Sequence, residues 1–146
     1  MRYVARLGEL HDPLGDVAVL AEDEAGDLVG VMTYLVVGTD CEVTTLYAAQ
    51  SWRGIGSALL EAAEHEVRAA GCDRLWLVTT NDNVDGLWFY QRRGFRLSEL
   101  HPGAVDASRA TLKPSLPEVG DHGIPLRDEL VLEKRLSDRQ VGELGR

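Results

Sequence analysis

The stretch from Arg53 to Gly71 constrains the fold more than any other part of the sequence. Ile55, Leu59, Leu60, Ala63, Val67 and Ala70 recur at helical spacing, and Glu61, Glu64, Glu66 and Arg68 fall on the opposite face. Gly71 stands where a left-handed C-cap glycine belongs. Upstream, Val17 to Leu20, Leu28 to Val37 and Cys41 to Ala48 read as three strands of a meander. Their turns fall at the polar run Glu22 to Asp27 and at Gly38-Thr39-Asp40. Downstream, Arg74 to Thr80 reads as a strand, and Asn81-Asp82-Asn83 as a turn and N-cap. A helix from Val84 to Arg93 follows, stopped by Gly94, then strands at Phe95 to Leu100 and Glu129 to Leu136. Between them, residues 102–126 hold Pro102, Gly103, Pro114, Pro117, Gly120, Gly123 and Pro125, and read as one long loop. The order predicts an α/β fold, a mixed and mostly antiparallel sheet with two central helices, in a single domain over residues 1–146.

Composition removes several classes. A hydrophobic content of 45% and a charged content of 27% are those of a globular chain, not of a disordered or collagen-like one. No stretch approaches the ~20 apolar residues of a membrane span. The first six residues, Met1 to Arg6, lack the apolar run of a signal peptide, so a cytoplasmic location without membrane partners is expected. The 15 Lys and Arg against 24 Asp and Glu leave a net charge of -9, which opposes nucleic-acid binding through phosphates. The imbalance is local. Residues 1–50 carry nine acids against Arg2 and Arg6, whereas residues 51–100 carry six arginines against seven acids. An anionic ligand therefore finds its partners in the middle third; the front is either a site for cations or a solvated acidic face. Cys41 and Cys72 lie far apart, and His11, His65, His101 and His122 are scattered, so no metal site is expected. Both cysteines read as small buried hydrophobes.

Two segments carry candidate chemistry. Arg53-Gly54-Ile55-Gly56-Ser57 joins a strand to the start of the amphipathic helix. Its glycines let successive N–H groups converge, and the helix dipole adds about half a positive charge there. Such a turn is either an anion cradle, with Arg53 adding a full charge, or simply a tight strand-to-helix connection. A Rossmann fingerprint would need a third glycine where Leu59 stands, and a P-loop needs a lysine that this turn lacks. The second segment runs from Asn83 to Phe95. Asn83 and Tyr90 are seven residues apart, two helical turns on one face, and a phenol so placed can donate a proton. Trp88 and Phe89 read as core aromatics.

Together these segments resemble the GNAT superfamily of N-acetyltransferases. Its signature is a strand, a G-x-G turn opening a helix, a second strand, and then N-x-x-(small)-x-x-x-Y-x-x-x-G-F. Here the last pattern is Asn83, Gly86, Tyr90, Gly94 and Phe95, and the resemblance covers residues 17–100. It implies acetyl-CoA as cofactor, with its pyrophosphate on the backbone of Arg53, Gly54, Ile55, Gly56 and Ser57. The pantetheine arm would pair with the strand at Leu46, Tyr47 and Ala48, and Asn83 would help order it. Cys41-Glu42-Val43 matches the context of the family's general base, so Glu42 is the base candidate. Tyr90 is the candidate acid for the departing thiolate, and also a cofactor contact. Acetyl transfer would go directly to a small-molecule or peptide amine through a tetrahedral intermediate. A coenzyme A-binding regulatory or structural module with a degenerate acceptor site is the alternative.

The chain also departs from the family pattern. Ser51 stands where Arg or Gln is usual three residues before the first glycine. Some sixteen residues precede Val17, where the family usually places a strand and two helices that floor the acceptor pocket. Either the start has been trimmed or a partner subunit completes the pocket; a homodimer is expected, with the 102–126 loop or the last strand near the junction. Gly123-Ile124-Pro125-Leu126-Arg127-Asp128-Glu129 resembles the ends of some small bacterial members of uncertain substrate. Arg127, Asp128 and His122 either serve function or close the loop on the sheet.

Overall fold

A computed structural model describes residues 3–49 and 54–136. Strands are β1 (Val4–Arg6), β2 (Glu9–His11), β3 (Val17–Glu22), β4 (Leu28–Val37), β5 (Asp40–Ala48), β6 (Arg74–Thr80), β7 (Arg96–His101) and β8 (Glu129–Arg135). Helices are α1 (Ile55–Ala69), α2 (Val84–Arg92) and α3 (Ala104–Thr111). β1 and β2 form a hairpin, and the other strands make one sheet in the order β3-β4-β5-β6-β8-β7. The chain groups into two compact units, one of Asp16–Trp76 with Lys134–Arg146, the other of Met1–Gly15 with Leu77–Glu133.

In the first unit, β3, β4 and β5 form an antiparallel meander, and β6 joins parallel to β5 with Cys41 beside Leu75 and Glu42 beside Trp76. Paired residues share a face of the sheet. Gly30, Met32 and Tyr34 of β4 thus share one face with Ala48, Leu46 and Val43 of β5. The amphipathic helix α1 covers that face through Leu59, Leu60, Ala63 and Val67, all buried. Gly30 permits the contact, since a Cβ built there would lie 2.6 Å from Ile55 Cγ2 and 3.0 Å from Leu59 Cδ1. Two polar links hold the helix in place: Tyr34 Oη donates to Glu66 at 3.0 Å, and Lys134 Nζ pairs with Glu64 at 2.9 Å. Cys41 and Cys72 are free thiols buried here, as their reading as small hydrophobes expects. Burial pushes both thiols up, Cys41 to about 12.

The second unit holds the β1–β2 hairpin, α2, α3, β7 and most of β8. The hairpin turns on Leu7 and Gly8, at φ 49 and 79, a two-residue turn with both central residues left-handed. Asn83 caps α2 as expected, its Oδ1 accepting the Gly86 amide at 3.0 Å.

The long loop expected over 102–126 is corrected by α3. Its prolines and glycines sit at 102–103 and from 114 onward, and the eight residues Ala104–Thr111 contain neither. Val105 and Ser108, one turn apart, are buried, and Gly103 opens the helix at φ 73. The remainder is tied by side chains rather than free. Arg109 donates to the carbonyls of Leu116 (3.0 Å), Pro117 (2.6 Å) and Leu126 (2.8 Å). Asn81 Oδ1 accepts the amides of Arg127 and Asp128, and its Nδ2 donates to Pro125 O. Asp128 accepts the Gly103 amide at 2.8 Å, and His122 lies 3.3 Å from Asp85. The Asp128 carboxylate thus closes this segment through a backbone hydrogen bond.

Candidate active site

The turn into α1 begins at Gly54, whose φ of 79 only glycine adopts without strain. Its carbonyl accepts the Ala58 amide at 3.0 Å, so the helix is regular from its first residue. The opening turn of a helix leaves its amides without partners inside that helix, and their dipoles sum toward the mouth. The first turn of α1 carries no acidic side chain, so nothing there repels an anion. Ile55 directs its side chain at Gly30, which leaves its backbone as the part a ligand can use. Gly56 and Ser57 continue the same turn, whereas Ser51 and Arg53 lie outside the described residues.

β5 leads toward this turn. Its ladder with β6 pairs Asp40, Cys41 and Glu42 with Arg74, Leu75 and Trp76, and β5 runs on to Ala48. Leu46 and Ala48 share the face covered by α1, while Tyr47 points to the other face and is 61% exposed. Glu42 is on that other face too, paired with Leu35 and only 5% exposed. A buried carboxylate at this depth is held for a reason other than solubility.

A chain of hydroxyls beside Glu42 was not among the sequence candidates. A bulge in the β4–β5 ladder pairs Tyr34 with Val43 and Thr33 with Thr45, so Thr44 is the extra residue. Thr44 Oγ1 donates to Asp16 at 2.6 Å, and Thr33 Oγ1 lies 2.7 Å from Thr44 Oγ1 and 2.6 Å from Thr45 Oγ1. A carboxylate only accepts, so the polarity runs from Thr45 through Thr33 and Thr44 to Asp16. Counting back from Val37 opposite Asp40 without a bulge would place Thr33 opposite Thr44, whereas the bulge pairs it with Thr45, so the sequence pointed to part of this chain only.

Asn83 and Tyr90 belong to the second unit. Besides capping α2, Asn83 donates from Nδ2 to Thr79 Oγ1 at 2.8 Å. A Cβ at Gly86 would collide with the Asn83 amide, which explains the small residue at that spacing. Tyr90 packs edge-on between Phe89 and Phe95, with ring centroids 5.2 and 5.4 Å away. Burial pushes its phenol up to about 12, so the hydroxyl keeps its proton across the neutral range. Phe89 is half-buried, but Trp88 is 47% exposed with Arg92 stacked 4.9 Å from its ring, not the core residue expected.

The sequence profile of the acetyltransferase (GNAT) family matches residues 2–95. The uncharacterized protein YdhI of Bacillus subtilis is 43% identical over 114 residues, 78% of this chain and 71% of YdhI. Among solved structures, an IAA acetyltransferase from Bacillus cereus superposes with a TM-score of 0.70 at 25% identity, covering 83% of this chain and 78% of that one. A GNAT family acetyltransferase from Elizabethkingia anophelis, crystallised with acetyl-CoA bound, superposes at 0.68 with 22% identity, over 82% of this chain and 75% of that one. The fold agrees with these matches, and the chain belongs to the GNAT family of acetyltransferases.

Proposed function

We propose that the protein, acting in the cytoplasm, transfers an acetyl group from acetyl-CoA directly to an amine. The observation that carries this reading is the left-handed Gly54 opening α1, a helix whose first turn offers amides and no carboxylate. The backbone from Gly54 to Ser57, supplemented by Ser51 and Arg53, receives the pyrophosphate in this reading. The β5 backbone at Leu46, Tyr47 and Ala48 aligns the pantetheine arm, and Asn83 supports it from the start of α2.

Acetyl-CoA supplies an activated thioester. The amine nitrogen attacks the thioester carbon, and the carbon–sulfur bond breaks. Glu42, through a water, takes the proton that the attacking nitrogen sheds. A backbone N–H near Ala48 donates to the carbonyl oxygen, where negative charge develops. Tyr90, held protonated by burial, returns a proton to the departing sulfur. Neither a metal nor a covalent enzyme intermediate is needed in this scheme.

The same reading includes self-association. β7 is an edge strand of the sheet, and its Leu97 and Leu100 are 55% and 60% exposed. A second copy covering such an edge gives a homodimer.

The experiment is release of free coenzyme A thiol when acetyl-CoA is offered with a panel of small amines and peptides. Amine-dependent release with an acetylated product is expected. Tight coenzyme A binding without release for any amine would replace this reading with that of a coenzyme A-binding module. Light scattering that reports a 16 kDa particle at full activity would remove the dimer.

A further inference from the structure

The second unit contains a cavity of about 360 Å³, and none of its lining residues takes part in the proposed transfer. Every residue that lines it belongs to that one unit. Leu7 and Gly8, at the exposed tip of the β1–β2 hairpin, form part of its rim, and Ala104 and Ala107 of α3 line one wall. Its most deeply buried lining groups are Ser108 and Glu129, at 3% and 2% exposure. That volume lies within the range of small-molecule sites, near its lower end.

Glu129 is the unusual member. Its Oε1 accepts the Leu7 amide at 2.9 Å, and among the described residues no lysine or arginine pairs with it. His101, its partner across the β7–β8 ladder, turns its Nε2 to Glu99 at 2.8 Å instead. A carboxylate at that depth, with one amide for company, is costly unless a cation joins it. The walls decide which kind of cation fits. Calcium and magnesium demand about six oxygen ligands, and the lining supplies a single carboxylate among alanine and leucine side chains. An alkylammonium ion matches both features, with three N–H donors at its head and methylenes behind them.

We propose that this cavity is a binding site for a small free alkylammonium ion, with its charged head on Glu129 and its methylenes against Ala104 and Ala107. The Leu7 amide fixes the carboxylate through Oε1 and leaves Oε2 to the ligand. The Ser108 hydroxyl, buried in the same lining, offers the head a second acceptor. The site stands on the geometry of its own unit and does not rest on the transfer reading.

The test is an NMR titration of the isotope-labelled full chain at neutral pH, without acetyl-CoA, using butylamine and its uncharged counterpart n-butanol. Butylamine is charged under these conditions, as a lysine side chain is. It should bind about 10–100-fold more tightly than the alcohol, the worth of a hydrogen bond to a charged group. The shifted amides should centre on Leu7, Gly8 and Ala107. Glu129→Gln keeps the side-chain volume and an oxygen for the Leu7 amide but removes the charge, and should erase the preference for the amine. Ala107→Leu, which fills the cavity from α3, should abolish binding of both compounds. Thermal unfolding controls for folding of the variants, and if either fails to fold, the comparison of amine with alcohol in the parent protein still decides. Equal affinity for the two compounds, no binding of either, shifts centred elsewhere, or an undiminished preference in Glu129→Gln would each overturn the site.

Discussion

Gly30 of β4 and Ile55 of α1 meet with no room for a side chain between them: a Cβ on Gly30 would lie 2.6 Å from Ile55 Cγ2 and 3.2 Å from the Tyr47 carbonyl. Ile55 follows directly on Gly54, so this contact fixes the height of the proposed anion-binding turn above the sheet. Ile is stiff at χ1, and the carbonyl belongs to the ladder, so neither neighbour yields cheaply. Gly30→Ala is expected to destabilise the protein by about 1–3 kcal/mol, the usual cost of overpacking. It should also weaken coenzyme A binding, because α1 must shift. Denaturant melts together with calorimetry check both, and a variant as stable as the parent would show that the contact has slack.

Gly56→Asp addresses the cradle itself. It places a Cβ and a negative charge at the second glycine of the turn, where backbone and phosphate are proposed to approach. An acidic residue near a helix N-terminus favours the dipole by about 0.3–1 kcal/mol, so the fold should be retained. Coenzyme A affinity should fall below detection. Calorimetry that returns the parental affinity would remove the pyrophosphate site from this turn.

Tyr90→Phe separates chemistry from packing. The edge-on contacts with Phe89 and Phe95 involve the ring, which phenylalanine keeps. Loss of a general acid typically costs about 10²–10⁴-fold in turnover, and coenzyme A affinity should change far less. The phenol sits near 12, so its deprotonation cannot produce an alkaline limb in the rate profile below about 10. A turnover within a factor of about three of the parent would leave Tyr90 as packing alone.

The elements that lie close in sequence were the legible ones. α1 shows its apolar stripe and its Gly71 terminator within seventeen residues, and β6 stands between two turns, so both come out within a residue of their observed bounds. The G-x-G turn and the Asn83–Tyr90 spacing are local in the same way, which is why the family was readable. What stayed hidden depends on register or on distant pairing. The hairpin tip at Leu7-Gly8 lacks the Asn or Asp that usually marks such a turn, and its anchor, Glu129, is 122 residues away. α3 was masked by its neighbours, because proline and glycine counted across 102–126 average out the eight residues that contain neither. The hydroxyl chain from Thr45 to Asp16 depends on a bulge, and a bulge moves side chains by one position without a compositional mark.

The buried acids with raised values set the behaviour at high pH. Burial, with smaller contributions from Cys72 and Glu42, lifts the Cys41 thiol from 9.0 to about 12. Burial first, then the hydrogen bond to Glu66, lifts the Tyr34 phenol from 10.0 to about 12, and burial alone does the same for Tyr90. In each case the unfolded chain gives up its proton earlier as pH rises, so the unfolded state binds fewer protons through that interval. Stability therefore falls as pH increases. The decline should begin near 9 with Cys41, steepen above about 10 as the tyrosines join, and level off near 12. Denaturant melts across that range check the slope, and Cys41→Ala, though less stable at neutral pH, should decline less steeply between about 9 and 10, where the raised Cys72 thiol still contributes. The same physics protects the thiols, because only the thiolate attacks an alkylating reagent. Iodoacetamide at neutral pH should label neither Cys41 nor Cys72 in the folded protein and both in denaturant. Rapid labelling of the native protein would mean that the face beneath α1 opens to solvent far more often than its packing allows.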